Sequence, residues 1–319
     1  MNSPEQPNHL QQKFTDLRKN AENLFKELQS LICLALEDED GKATFSTDSW
    51  KRIDESTGQE GGGGVSRILR SEGVFEQAGV NFSSVYGQLP RVMQERFNLG
   101  PDLENSFFAS GVSLVIHPLS PHVPTVHANF RYFNVGSIAW FGGGADLTPY
   151  VFKEEDAVHF HRTLKDSCDK FSSGYYPRFK KECDSYFYIP HRGETRGIGG
   201  VFFDYLGKDE PEKLDHYFEF TKAVGQSFIN AYLPIVSRRK NNSFTERERE
   251  FQLLRRGRYV EFNLVYDRGT QFGLATGGRT ESILMSLPPV ANWQYEGELA
   301  ETFEEINLVN ILKSPRNWV

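Results

Sequence analysis

Hydrophobic and polar positions follow two different periods along this chain, and the period changes near residue 107. Residues 10–36 carry Leu and Phe at helical spacing, with Lys, Asp and Glu between them, which predicts an amphipathic helix. Three later segments read as β-strands, and their short links favour antiparallel neighbours over crossover connections. These predicted strands are 107–117, 125–133 and 136–143.

The second half of the chain mixes both periods. Helical spacing recurs at 154–171, 211–233 and 298–313, and Pro211 and Pro234 are predicted to begin and end the second of these helices. A further strand is predicted at 197–206, and a hairpin over 258–276 that turns near 267–269 and ends its first strand at Asp267. The pattern predicts an α+β fold, with helices at both ends and an antiparallel sheet in the middle.

Two glycine runs interrupt these patterns. The run at 60–64 lacks the Lys-Ser/Thr pair of a phosphate-binding loop, so we interpret it as flexible or close-packed backbone. The run Gly142–Gly144 weakens any strand or helix that contains it, and such a run is expected where backbone passes close to something bulky.

Composition narrows the class of protein. The chain has 319 residues and a net charge of −7, which argues against non-specific nucleic-acid binding. No apolar run is long enough for a membrane span, and the N-terminal residues lack the pattern of a signal or transit peptide. The three cysteines are sparse and show no CxxC spacing, so reduced thiols in a cytoplasmic setting are expected. The 26 Phe and 13 Tyr suggest a cavity with flat walls.

The segment 125–133 carries the first candidate chemistry. Alternation places His127, Asn129 and Arg131 on one face of the predicted strand. An imidazole, an amide and a guanidinium in line need polar partners and suit an anionic ligand.

Four of the eight histidines are candidates for a shared site. Helical phase places His161 toward the interior and His159 toward solvent. The sequence leaves two interpretations open: the four histidines converge on one site, or each is packed separately with its own partners. No HExxH or CxxC pattern supports a metal site. The four candidates are His117, His127, His161 and His191.

Arginines and aspartates supply a second set of candidates. Arginines bind carboxylates bidentately, so a cluster of them suits a substrate with several carboxylates, although surface ion pairs are the alternative. Asp146 and Asp267 could each act as a general base or accept a hydrogen bond from a ligand N–H. A helix cap or turn is the alternative role, above all for Asp267. The arginines next to glycine-rich or strand-end segments are Arg131, Arg192, Arg196, Arg268 and Arg279.

Five long strings carry a family resemblance. VHANFRYF, WFGGGADLTPY, YFYIPHRGETRGIGGVFFD, RGRYVEFNLVYDRGTQFGL and TGGRTESILMSLPP resemble signature blocks of the oxygen-dependent coproporphyrinogen III oxidases, and the likeness spans about residues 60–318. It implies a large flat antiparallel sheet between helical layers, in a homodimer formed through 74–83 and 259–294. We accordingly expect an N-terminal helical extension at 1–55 and a single catalytic domain at 56–319.

The resemblance also implies a reaction. Members oxidatively decarboxylate two propionates of coproporphyrinogen III to vinyl groups with O2, giving protoporphyrinogen IX, CO2 and H2O2 for haem and chlorophyll biosynthesis. The sequence shows no flavin, haem or iron–sulfur pattern, so no organic or redox cofactor is expected. A divalent metal on His117, His127, His161 and His191 is implied for bacterial-type members.

Residue roles follow from matching positions. His127 matches the proposed proton donor, and Asp146 and Asp267 match acidic residues of the site. We expect Arg268, beside Asp267, to bind a second propionate. The matched substrate contacts are Ser113, Asn129, Phe130, Arg131, Gly277, Gly278 and Arg279. A metallohydrolase built on the four histidines and a tetrapyrrole carrier without catalysis are the alternative functions.

Overall fold

The computed structural model describes residues 9–54, 57–89, 94–95, 105–275, 278–295 and 299–319. The helices are α1 (His9–Asp40), α2 (Glu154–Asp169), α3 (Tyr175–Tyr186), α4 (Leu214–Arg239), α5 (Glu246–Val265), α6 (Arg268–Ala275), α7 (Thr280–Leu284) and α8 (Phe303–Lys313), and a 3-10 turn spans Pro211–Lys213. The strands are β1 (Ser46–Ile53), β2 (Glu60–Leu69), β3 (Phe75–Gln88), β4 (Ser106–Pro118), β5 (Thr125–Val135), β6 (Ile138–Thr148), β7 (Tyr188–Ile189), β8 (Glu194–Thr195) and β9 (Gly200–Leu206).

A seven-stranded sheet in the order β1-β2-β3-β4-β5-β6-β9 forms the centre of the molecule. All of its neighbouring strands are antiparallel, which confirms the predicted α+β class. One face of the sheet is apolar and packs in a single core with α1, α2 and α4. Residues 9–54 of the predicted N-terminal extension therefore contribute a helix to this core and an edge strand to this sheet.

The glycine run in β2 is close-packed rather than flexible. A Cβ atom on Gly64 would lie 2.4 Å from the Phe82 carbonyl oxygen and 2.4 Å from the Trp50 ring. Neighbouring backbone and an aromatic side chain therefore occupy the space that any larger residue would need. None of the described helices is long and apolar enough to cross a lipid bilayer.

The predicted hairpin over 258–276 is wrong, because this region forms α5 and α6. The helix starts well upstream of the predicted segment, at a capping box in which the Thr245 hydroxyl and the Glu248 carboxylate bond each other's backbone N–H. Buried side chains then recur at helical spacing, as at Phe251, Arg255 and Tyr259. The residues after 258 alternate between polar and apolar side chains, but they lie inside a helix that begins upstream. Tertiary packing therefore overrides their strand propensity.

Pro234 does not end its helix, because α4 continues to Arg239. A proline lacks the N–H that would bond the carbonyl four residues earlier, here that of Asn230. His159 of α2 fills this position, since its Nε2 lies 3.0 Å from the Asn230 oxygen. The prediction that His159 faces solvent is therefore wrong, because the side chain is half-buried between the two helices.

We expect His159→Ala to lower the free energy of unfolding by about 1 kcal/mol, the usual contribution of one hydrogen bond. The additional change Pro234→Ala should restore most of this loss, because an alanine at this position supplies the missing backbone donor. Urea denaturation of the single and double variants measures both effects. No rescue in the double variant would mean that His159 acts only through packing.

Candidate active site

The other face of the sheet is polar and partly open. Side chains at half exposure alternate with buried ones along the central strands β4 and β5, which means that no helix fully covers the middle of this face. Strand register aligns one residue from each strand in a row across this face, because directly paired residues point to the same side. The row is Asp48, Ser66, Asn81, Ser113, Asn129, Gly144 and Phe202.

Helix α7 covers one end of this row. The Ser282 hydroxyl lies 2.8 Å from the Ser66 hydroxyl, and the Ser282 carbonyl accepts the amide of Asn81 at 2.5 Å. Arg279, just before α7, forms an ion pair with Asp48 at 2.5 Å. The open part of the polar face is therefore the region over β4 and β5, because β6 is buried along nearly its whole length.

His127 lies at half exposure on β5 and is paired with the buried Asp146 of β6. His127 Nδ1 lies 2.8 Å from Asp146 Oδ1, and the two residues are register partners on β5 and β6. Burial alone would raise the pKa of Asp146, but Arg196 and His127 outweigh it and hold this pKa below its usual value. Because an ionised carboxylate only accepts, Nδ1 of His127 carries the hydrogen and Nε2 is the nitrogen left for other chemistry.

Arg196 is the buried partner of this carboxylate. Its Nη2 donates to both Asp146 oxygens at 2.8 and 2.9 Å, and its Nη1 donates to Asn263 of α5 at 2.7 Å. The guanidinium also lies 4.1 Å from the Phe187 ring centroid and 4.4 Å from that of Tyr259. The sequence singles out Arg196 among the arginines without giving it a role, and the nearby glycine-rich segment is the only local signal.

Asp267 lies between α5 and α6 and has two sets of contacts. Its Oδ2 accepts the backbone N–H of Thr270 at 2.7 Å and the Thr270 hydroxyl at 2.9 Å, which caps α6. Its Oδ1 accepts the hydroxyl of Tyr186 at 2.7 Å. Burial would raise the pKa of Asp267, but these bonds and the nearby His127 lower it. The helix-cap role is therefore real, and the same carboxylate lies close enough to interact with His127.

Arg131 and Arg268 share one carboxylate at the edge of the open region. Asp204 lies 2.8 Å from Arg131 and 3.8 Å from Arg268. Tyr186 and Phe202 stack at 4.2 Å beneath Arg268, whose guanidinium lies 4.8 Å from the Tyr186 ring centroid. Two guanidinium groups therefore lie beside an aromatic surface, with Asp204 as their shared carboxylate and Asp267 as a second carboxylate that influences Arg131.

A cavity of about 730 Å³ adjoins this arginine pair. Its lining includes Tyr186, Phe202, Asp204 and Arg268, together with the cations Arg178 and Lys181 and the carboxylates Glu182, Asp209 and Glu210. A volume of this size falls in the range of about 300–1,000 Å³ typical of small-molecule and cofactor sites.

The glycine run in β6 lets this site form against the sheet. Strand β6 continues through Gly142–Gly144 to Thr148. At each of these glycines, neighbouring groups occupy the space that a Cβ atom would need. A Cβ on Gly142 would lie 2.6 Å from Asp204 Oδ1 and 2.9 Å from Arg131 Nε. A Cβ on Gly144 would lie 2.2 Å from the Val201 carbonyl oxygen. The bulky neighbours expected from the sequence are thus the Arg131–Asp204 pair and strand β9.

Gly142→Ala and Gly144→Ala should have different effects, because the first disturbs side chains of the site and the second disturbs the backbone of the sheet. We expect Gly142→Ala to lower kcat/KM about tenfold, a loss of about 1.4 kcal/mol, because Arg131 and Asp204 can move aside without unfolding the sheet. Gly144→Ala should instead lower the free energy of unfolding by about 1–3 kcal/mol, since it strikes rigid backbone. Thermal unfolding and steady-state kinetics on both variants test this contrast. Equal losses of stability would contradict it.

The remaining predicted substrate contacts divide into four groups. Ser113, Asn129 and Arg131 lie on the open polar face, as the alternation predicted. Phe130 lies in the core on the opposite face, so only its backbone could approach a ligand there. Gly278 donates its backbone N–H to the Gly273 carbonyl at 2.7 Å, which removes the donor that a glycine-rich ligand contact would offer. Gly277 lies outside the described residues.

The four candidate histidines do not gather around one point. His117 is buried and bonds the Ser286 carbonyl at 2.9 Å, and His161 is buried between the Tyr176 hydroxyl and the Ile198 carbonyl. His191 is exposed and bonds Glu261, which also pairs with Arg192. Within the described ranges no group of three or more His, Cys, Asp or Glu side chains is arranged to hold a metal ion. These histidines do not fit a shared metal.

The fold and the site together define a class of protein. A flat polar sheet face, arginines near both ends of it and a fixed imidazole beside two ionised carboxylates suit an enzyme that moves protons on a large, flat, anionic substrate. The sequence model of the family described as coproporphyrinogen III oxidase matches residues 20–318. The chain belongs to the coproporphyrinogen III oxidase family, and it is an oxidoreductase of porphyrin and haem biosynthesis whose substrate is a tetrapyrrole.

Proposed function

We propose that the chain catalyses the O2-dependent oxidative decarboxylation of two propionates of coproporphyrinogen III to vinyl groups, giving protoporphyrinogen IX. For each propionate the substrate loses two electrons and CO2, and O2 gains the two electrons and two protons to become H2O2. The observation that carries the proposal is the placement of His127, Asp146 and Asp267 around the open polar face in a member of this family.

Substrate carboxylates are bound by arginines at separate places on the face. Arg131 and Arg268 both pair with Asp204, and a propionate placed between them would gain two charge-assisted contacts. Arg279 pairs with Asp48 of strand β1. Strands β1 and β5 are four positions apart in the sheet, which corresponds to a distance of about 19 Å between them at the usual strand spacing. Helix α7 covers the face near Arg279, so a macrocycle over Ser113 and Asn129 lies next to Arg131 and Arg268, and Arg279 would bind a propionate that extends to the edge of α7.

Asp267 and His127 act on protons of the bound substrate. Asp267 accepts pyrrole N–H groups and stabilises the positive charge that develops as the ring is oxidised. A pyrrole N–H is deprotonated and O2 adds to that ring as a peroxide. The peroxide takes a proton from the propionate side chain, the bond to the carboxylate carbon breaks to release CO2, and the bond between the ring and the peroxide breaks. His127 supplies the second proton of H2O2 through Nε2, while Asp146 and Arg196 hold its ring in place.

The electron-rich porphyrinogen itself reduces O2 in this scheme. We therefore propose that no organic or redox cofactor takes part and that a divalent metal is not required. We also propose a cytoplasmic setting, in line with three buried and unpaired cysteines.

A homodimer is a further part of the proposal. Several large apolar side chains of the 259–294 region are exposed, which favours an interface there. They are Leu264, Val265, Leu274, Val290 and Trp293. The 74–83 segment is the first part of strand β3, and many of its side chains are already buried within the chain. Sedimentation of the purified chain measures its oligomeric state.

The decisive experiment incubates metal-stripped protein with coproporphyrinogen III in air and follows vinyl product, CO2 and O2 uptake. We expect turnover without added metal, no turnover under argon, and one H2O2 per vinyl group. Loss of turnover that only added metal restores would favour a metal-dependent enzyme. Tight binding without O2 uptake would favour a tetrapyrrole carrier.

A further inference from the structure

The hydroxyl of Tyr186 connects the end of α3 to the segment that carries Asp267 and Arg268. It donates to Asp267 Oδ1 at 2.7 Å and accepts the backbone N–H of Arg268 at 3.2 Å. Because that N–H occupies an acceptor site of the hydroxyl and the Asp267 carboxylate offers no hydrogen, the tyrosine proton must point to Asp267.

The ring of Tyr186 has little freedom to move. It stacks on Phe202 with ring centroids 4.2 Å apart and planes 9° apart, and it meets Phe187 edge to face at 4.8 Å. The Arg268 guanidinium lies on the ring at 4.8 Å. A ring held on three sides fixes the position of its hydroxyl, and the hydroxyl in turn fixes one oxygen of Asp267.

We propose that Tyr186 is a positioning residue that keeps the Asp267 carboxylate ionised and oriented for the bound tetrapyrrole. This inference rests on the role proposed above for Asp267. Tyr186 was not among the candidates from the sequence, because nothing local to residue 186 indicates that the end of α3 lies beside Asp267 and Arg268.

The two oxygens of Asp267 are held by different residues. Thr270 holds Oδ2, whereas Tyr186 donates to Oδ1 within the described part of the chain. The charged and titratable groups that face Asp267 from other elements are His127 and Arg131 of β5, Arg196 and Tyr186, with Arg268 beside it in sequence.

The electrostatics agree with this geometry. Burial raises the pKa of Asp267, and the Tyr186 hydrogen bond is the largest of the effects that lower it. Burial and the neighbouring Asp267 raise the pKa of Tyr186 above its ordinary value, so the hydroxyl keeps its proton. Tyr186 is thus a permanent donor to a carboxylate that would otherwise protonate more easily.

The test is the pH profile of kcat/KM for Tyr186→Phe, which keeps the ring and removes the hydroxyl. Loss of the donor should raise the pKa of Asp267, and an ionised base is lost as pH falls through its pKa. The acid limb should therefore move to higher pH by about one unit, the scale of one charge-assisted hydrogen bond. Above that limb the variant should keep activity within about tenfold of wild type, since a positioning contact is lost rather than the base. The exposed Tyr188→Phe is the matched control and should leave the profile unchanged.

The outcomes separate this inference from the role of Asp267. Asp267→Asn, which removes the charge of the proposed base, is measured in parallel. If Asp267→Asn turns over slowly but the pH profile of Tyr186→Phe is unshifted, or its rate falls equally at every pH, the positioning role of Tyr186 is overturned. Normal turnover of Asp267→Asn would instead overturn the role of Asp267 itself. Thermal unfolding of Tyr186→Phe is the folding control. A midpoint near that of wild type would show that the pH profile of kcat/KM is that of a folded enzyme.

Discussion

Asp267→Asn should bind the tetrapyrrole and form the monovinyl intermediate at least about 100-fold more slowly than wild type, the scale of losing one general-base or electrostatic contact. The substitution keeps the shape of the side chain and removes its charge. Asn caps helices as well as Asp does, so Thr270 can still bond it and α6 can still begin at Arg268. The variant therefore separates the capping role from the chemical role.

Single-turnover formation of the monovinyl product at saturating substrate measures this effect. Asp267→Ala is the companion variant, which also loses the cap at a cost of about 1 kcal/mol in stability and should lose both binding and rate. A wild-type rate for Asp267→Asn would leave Asp267 as a helix cap only. Asp146 would then be the next candidate for the base.

Arg196→Met should lower the free energy of unfolding by about 3–5 kcal/mol and remove most activity, because it leaves Asp146 buried without its main counter-charge. Asp146 is 1 % exposed and Arg196 2 %, so water cannot replace the lost partner. His127 would then face a carboxylate that burial drives toward its neutral form, and its ring would lose its fixed acceptor.

The effect of Arg196→Met should depend on pH in a defined direction. Asp146 has a lowered pKa in the folded wild type, so its contribution to stability is present above its unfolded pKa and is lost as pH falls through the folded value. Without Arg196 that pKa rises, and the difference in stability from wild type should shrink toward acid pH. Urea denaturation near neutral pH and at about pH 4, close to the unfolded pKa of an aspartate, measures the difference.

The double variant Arg196→Met with Asp146→Asn is the matched control. It removes the buried charge together with its partner, so most of the stability should return while activity stays low. If the double variant is as unstable as Arg196→Met, the loss comes from packing of the Arg196 guanidinium against Phe187 and Tyr259 rather than from the unpaired carboxylate.

Local periodicity was sufficient for much of the fold and part of the site. The alternation in 125–133 placed His127, Asn129 and Arg131 on one face, because successive side chains of a strand point to opposite sides wherever the strand lies. The N-terminal helix, α2 and α4 were predicted for the same reason, since each pattern spans several turns and needs no distant partner, whereas α3 was not predicted.

Tertiary contacts decided what the local pattern could not. Residues 258–265 alternate like a strand, yet they continue a helix whose capping box lies upstream at Thr245. Helix α4 passes through Pro234 because a histidine from another helix bonds the carbonyl that the proline leaves free. In the first case the upstream start of the same helix outweighs the local pattern, and in the second a group far away in sequence does.

The candidate site also depends on contacts between residues that are far apart in sequence. The sequence by itself determined that this chain carries His127, Asp146, Asp267 and several arginines in the blocks of its family. Only the tertiary structure brought Arg196 to Asp146, 50 positions away, and Tyr186 to Asp267, 81 positions away. Strand register and helix packing set such distances, and both depend on burial of the whole apolar face rather than on the residues beside each side chain.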